Sequence, residues 1–112
     1  MTIARAAVLV EKGAIVAAKA YYVYLLSNTT GTLYVGMTNN LVRRIWQHRE
    51  KLVPGFTSKY DVSRLLHAEM FMTPLEAIAR EKQIKGWTRA KKLTLIRASN
   101  PQFRELTVED AL

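Results

Sequence analysis

Glu81, Arg44 and His48 are polar side chains placed where apolar ones are expected. A helix beginning at Thr73 carries Ala77, Ile78 and Ile84 on one arc at about 100° per residue, and Glu81 falls inside that arc. A carboxylate on a buried face is costly unless it is paired or bound to a metal ion. An earlier helix repeats the anomaly. Leu41, Ile45 and Leu52 mark its inner stripe, His48 lies within the stripe, and Arg44 sits on its edge one turn before His48. Two accounts fit these positions. Glu81 either forms a salt bridge, to Lys85 or to an arginine such as Arg44, or holds a metal. His48 is either a satisfied core residue or a catalyst.

The elements that must position these groups follow from local pattern. Tyr21 to Leu26 is aromatic and β-branched, Ser27 to Gly31 is a turn cluster, and Thr32 to Gly36 is again strand-like, which predicts a hairpin with a loop of about five residues. Alternation puts Tyr22 and Tyr24 on one strand face, with Tyr34 on the partner strand, and such tyrosines are ordinarily packing residues. Thr38-Asn39-Asn40 offers caps to a helix from about Leu41 to Leu52, stopped by Pro54-Gly55. Phe56 to Asp61 reads as a connector with room for one helical turn. Arg64 to Phe71 reads as a third strand. Thr73-Pro74-Leu75-Glu76 is a capping box that starts the Glu81 helix, and Thr88 caps a last helix to about Ala98. The fold class is α/β (α+β): a small three-stranded, mostly antiparallel sheet flanked by helices in the order β-β-α-β-α-α. Residues 1–19 form an N-terminal extension of unreadable role, and residues 20–112 form the domain.

Composition narrows the function. The 112 residues carry a net charge of +8, are 49% hydrophobic and contain no cysteine. These values describe a globular domain without disulfides or thiolate metal sites, suited to a polyanionic partner and a reducing cytoplasm. No apolar run reaches the ~20 residues of a membrane span. Gly31 and Gly36 have the spacing of a phosphate loop, but Met37 replaces the lysine such a loop requires. Paired histidines, HExxH and DxD are absent, so a cage of several protein metal ligands is not expected.

The run YVYLLSNTTGTLYVGMTNNLVRRIWQH resembles the opening of the GIY-YIG nuclease domain. Tyr22-Val23-Tyr24 stands at the GIY position, Tyr34-Val35-Gly36 at the YIG position, Arg44 at the family's arginine and His48 at its histidine. EAIAREKQIKGW resembles the glutamate helix, with Glu81 at the metal position, and Asn100 matches a late asparagine. Tyr22 replaces the glycine of GIY, and Val35 replaces the isoleucine of YIG. The likeness runs from about Ala20 to Phe103 and is nearest to the small stand-alone branch of the superfamily.

The resemblance implies a metal-dependent endonuclease acting on DNA phosphodiester bonds, directed by structure rather than base sequence. Glu81 would bind one Mg²⁺ or Mn²⁺, and Arg44 would clamp the non-bridging oxygens. A tyrosine, Tyr34 before Tyr22 or Tyr24, would take the proton of the attacking water with help from His48. Lys82, Lys85, Arg89, Lys91 and Lys92, with Asn100, would contact substrate, and a partner protein would supply any sequence specificity. Arg80 and Arg97 extend the same basic run. The alternatives are a nucleic-acid-binding protein of this fold with little activity alone, and a purely structural Arg44–Glu81 ion pair. Oligomeric state is open.

Overall fold

The structure, a computed structural model, describes residues 19–111. The extension at residues 1–19 therefore lies outside the described residues except for Lys19. In chain order the elements are β1 (Tyr21–Ser27), β2 (Leu33–Thr38), α1 (Leu41–Arg49), α2 (Phe56–Lys59), β3 (Arg64–Phe71), α3 (Pro74–Lys85), α4 (Arg89–Ser99) and α5 (Val108–Ala111). The sheet is antiparallel throughout with order β2-β1-β3, and the expected order of strands and main helices holds. The short α5 has no counterpart in the sequence expectation.

β1 is central because its sequence is apolar on both faces. Tyr22, Tyr24 and Leu26 enter one core, closed by Leu41 and Ile45 of α1 together with Val62 and Leu65. Val23 and Leu25 enter the other, closed by Ala77 and Ile84 of α3 and Ile96 of α4. Each fully buried valine, leucine or isoleucine among them contributes about 1.5–3 kcal/mol by leaving water. α1 and α3 thus pack on opposite faces of the sheet. The register passes from Leu25 opposite His67 to Leu26 opposite Leu65, so Leu66 is the extra residue of a bulge in β3.

Local hydrogen bonds explain the turns and caps. In the hairpin loop, Asn28 Oδ1 accepts from the backbone of Thr30 (3.0 Å) and Thr32 (2.9 Å), and Gly31 takes the left-handed conformation at φ 89°. Asn40, Thr73 and Thr88 each accept from the backbone N–H three residues on, capping α1, α3 and α4. One boundary departs from expectation. α1 ends at Arg49 rather than at Leu52, and Leu52 is exposed instead of belonging to the inner stripe. Lys51 adopts φ 56°, and the Leu52 N–H reaches back to the Gln47 carbonyl at 2.8 Å, which closes the helix in a Schellman-type turn.

Candidate active site

The centre of the site is a buried polar chain. Tyr24, fully buried on β1, has its hydroxyl 2.9 Å from His48 Nε2, and His48 Nδ1 lies 3.0 Å from the Thr57 hydroxyl of α2. Both ring nitrogens of His48 are thereby satisfied, either tautomer serving. Burial, reinforced by the Arg44 charge, lowers the His48 pKa from 6.5 to about 4, so its imidazole is neutral near pH 7. Gly36 makes room for this arrangement. A Cβ there would stand 2.4 Å from both Cζ and the hydroxyl of Tyr24, and 2.8 Å from the Tyr34 ring. The YVG run in β2 therefore needs glycine for the tyrosine ring that crosses it, not for phosphate binding.

Around this chain stand the remaining candidate groups. The Tyr34 ring meets His48 edge-on at 5.5 Å and Tyr24 at 6.2 Å, and it is only partly buried. The Arg44 guanidinium is beside the Tyr24 hydroxyl, and the Glu81 carboxylate is within its electrostatic reach. Burial is the largest cause raising the Tyr24 pKa above its usual 10, with Tyr34 and Glu81 adding to the rise and Arg44 opposing it. Tyr24 therefore keeps its proton. Arg44 and Glu81 come from helices on opposite faces of the sheet, yet both charges bear on the same hydroxyl. Glu81 is ion-paired with Lys85 at 3.2 Å, one turn along α3, and its side chain is 20% exposed. Among the described residues no ion pair joins Glu81 to Arg44.

Glu81 can still serve a cation. Among the described residues no three carboxylate or histidine side chains converge. A cation at Glu81 would fill its shell with water and substrate oxygens, a donor set that fits hard Mg²⁺ or Mn²⁺ rather than zinc. Lys85 would have to release the carboxylate.

The other sequence candidates are dispersed. Tyr22 is buried beside Ala20 in the α1-side core, and burial raises its pKa. Asn100 is also buried. Its amide donates to the Leu66 carbonyl (3.2 Å) and the Arg104 carbonyl (2.8 Å) and accepts from the Arg104 N–H, leaving no free group to offer substrate. Arg80 is bound to Glu69 at 2.8 and 3.0 Å and so does not belong to a free basic face. Arg89 reaches the hairpin turn at Gly31, Lys91 lies over the Trp87 ring at 5.4 Å, and Arg97 lies over Phe103 at 5.4 Å. Lys82 is exposed and Lys92 is partly buried. Thr57 was not singled out from sequence. Its only signal there is its place just after Pro54-Gly55.

Comparison with known proteins identifies the family of the chain. The GIY-YIG catalytic domain family matches residues 20–94. A UPF0213 protein of Staphylococcus saprophyticus is 36% identical over 76 residues, 68% of this chain and 93% of that protein. A UPF0213 protein of Natronomonas pharaonis is 38% identical over 76 residues, 68% of this chain and 89% of its own length. The solution NMR structure of a UPF0213 protein of Bacillus halodurans aligns with a TM-score of 0.51 at 27% identity, covering 81% of this chain and 92% of that one. Among the described residues no helix is long and apolar enough to cross a membrane. The chain belongs to the GIY-YIG family of nuclease-type catalytic domains, in its small single-domain form.

Proposed function

We propose that the protein is a divalent-metal-dependent endonuclease that hydrolyses phosphodiester bonds in DNA, directed by the structure of the DNA rather than its sequence and working in the cytoplasm. The observation that carries this reading is that the charges of Arg44 and Glu81, from helices on opposite faces of the sheet, both bear on the hydroxyl of one buried tyrosine. A fold maintained for packing alone gains nothing from bringing two opposite charges that are not paired with each other to bear on that point.

Arg44 holds the non-bridging phosphate oxygens with its planar fork, a geometry lysine lacks. Tyr22 and Tyr24 hold their protons because burial raises both. Tyr34, the more open phenol, is therefore assigned to orient the attacking water and, once its own proton has passed to solvent, to take the water's proton. Neutral His48 fixes the Tyr24 hydroxyl and with it the wall of the site. Water adds to phosphorus, the bond to the leaving 3′-oxygen breaks, and that oxygen acquires a proton. When bound at Glu81, Mg²⁺ or Mn²⁺ supplies charge stabilisation to the leaving oxygen. The surplus of eight positive charges favours capture of the polyanion. A partner protein would supply any sequence preference.

The test is cleavage of single-stranded, nicked, flapped and branched DNA by the purified chain with Mg²⁺ or Mn²⁺. Glu81→Ala and Arg44→Ala are each expected to lose roughly 100- to 1,000-fold in rate. Equal cutting by Glu81→Ala would sink the proposal. Salt-sensitive binding without cutting would favour the alternative, a binding protein in which Glu81 is simply the partner of Lys85.

A further inference from the structure

Beside the site lies an aromatic surface that the catalytic assignment does not use. Phe56 and Tyr60, at the start and the C-cap of α2, are each 46% exposed, although burying such rings would favour the fold. Their rings pack at 4.9 Å, and Phe56 lies nearly parallel to Tyr34, at 21° and 6.4 Å between centroids. The ladder Tyr34–Phe56–Tyr60 thus leads outward from the candidate site. Thr57, which follows Phe56 in α2, is tied to His48, so the platform is anchored to the same polar chain. Lys51 and Asp61, both at positive φ, pair at 3.8 Å across the base of the segment. Lys59 places its ammonium 5.3 Å from the Tyr60 ring centre.

We propose that Phe56 and Tyr60 form a stacking subsite for an unpaired base of the substrate strand, adjoining the scissile phosphate. This rests on the nuclease reading and deepens it, because it makes a single-stranded stretch part of what is recognised. A ring face stacks only on a base released from its own stack, so paired duplex offers this platform nothing. The flanking Lys59 and the chain's +8 charge match a polyanionic occupant rather than an apolar one. Trp87 provides the contrast. That residue is partly buried and two cations, Arg80 and Lys91, lie over its ring at 5.1 and 5.4 Å, whereas Phe56 and Tyr60 are exposed and Tyr60 carries one cation, Lys59.

The experiment measures binding of the full chain carrying Glu81→Gln to single-stranded, flapped and blunt duplex DNA, with and without a Phe56 substitution. Phe56→Leu keeps an apolar side chain against Tyr34 but removes the stacking face, and Phe56→Trp restores one. The expected result is a loss of roughly 5- to 50-fold on single-stranded and flapped DNA for Phe56→Leu, recovery in Phe56→Trp, and duplex binding unchanged. Equal loss on all three substrates, or no loss, would overturn the subsite. So would a change in association state with unaltered DNA binding, which would mean that a second copy covers the rings. If the protein without a Phe56 substitution binds no DNA, the nuclease reading falls as well. If Glu81-dependent cutting persists while Phe56→Leu matches it on every substrate, only the subsite falls.

Discussion

The chain has two histidines, both buried and both bonded through each ring nitrogen, yet their surroundings are opposites. His48 lies between two hydroxyls, those of Tyr24 and Thr57, with an arginine nearby. His67 lies between the Ser99 hydroxyl (3.1 Å) and the Glu69 carboxylate (2.9 Å), and Glu69 is held in turn by Arg80. Burial opposes charge on Glu69, but hydrogen bonds from His67 and Arg80 and the charges of Arg80 and His67 outweigh it, setting its pKa at about 2. The second network joins β3 to α3 and α4 and ends on itself, with each charge answered. The first is kept neutral and opens onto Arg44 and Glu81, whose charges have partners that are exposed or absent among the described residues. Closed charge belongs to the fold. Charge left open beside a neutral network is available for chemistry.

Substitutions on the two sides should therefore separate activity from stability. The largest effect is expected at Gly36. Gly36→Ala forces Tyr24 or β2 to move, because the new methyl would overlap the phenol. Displacing the site by ~1 Å is expected to cost about 100-fold in cleavage, with roughly 1–3 kcal/mol of stability lost to overpacking. Cleavage rate and urea midpoint measured together check it, and normal cleavage would detach the Tyr24–His48 chain from function. Glu69→Gln should do the reverse. Losing the carboxylate leaves Arg80 and His67 unmatched, and because both sides are partly exposed the cost should be roughly 2 kcal/mol, below that of a fully buried pair. Cleavage per folded molecule should stay within about 2-fold, since no step is assigned to Glu69. A loss of rate matching that of Glu81→Ala would erase the distinction between the networks.

The same contrast shows what sequence could and could not convey. Glu81, Arg44 and His48 stood out because a charged or polar type interrupted an apolar helical stripe, a signal carried by neighbours three and four residues away. The strands and caps were legible for the same local reason. Thr57 was not, since its bond to His48 joins one helix to the next, nine residues later. Arg80 was grouped with free cations because its partner lies eleven residues earlier on a strand. Leu52 was placed inside because nothing in a lysine announces the left-handed turn that Lys51 makes. The glycine of the second motif was visible as a letter. Its reason, the ring of Tyr24 crossing it, exists only once the hairpin has formed.

The smallest expected effect concerns acid. The neutral His48 has a folded pKa of about 4 against an ordinary 6.5, so between those values the unfolded chain binds the extra proton. Stability from this group is complete above 6.5 and is lost as pH falls through the window. Glu69, at about 2 against an ordinary 4.5, contributes stability present above 4.5 and lost only below it. Acid should thus loosen the Tyr24–His48 side before the Glu69–Arg80 side. Urea unfolding of the protein from about pH 7.5 to 5.5 should show a fall on the order of 1 kcal/mol. In His48→Gln that fall should be absent, while the later loss below 4.5 remains and disappears only in Glu69→Gln. An unchanged slope in His48→Gln would mean that His48 binds its proton as readily in the folded chain as in the unfolded one, and the burial that keeps the network neutral into the acid range would not exist.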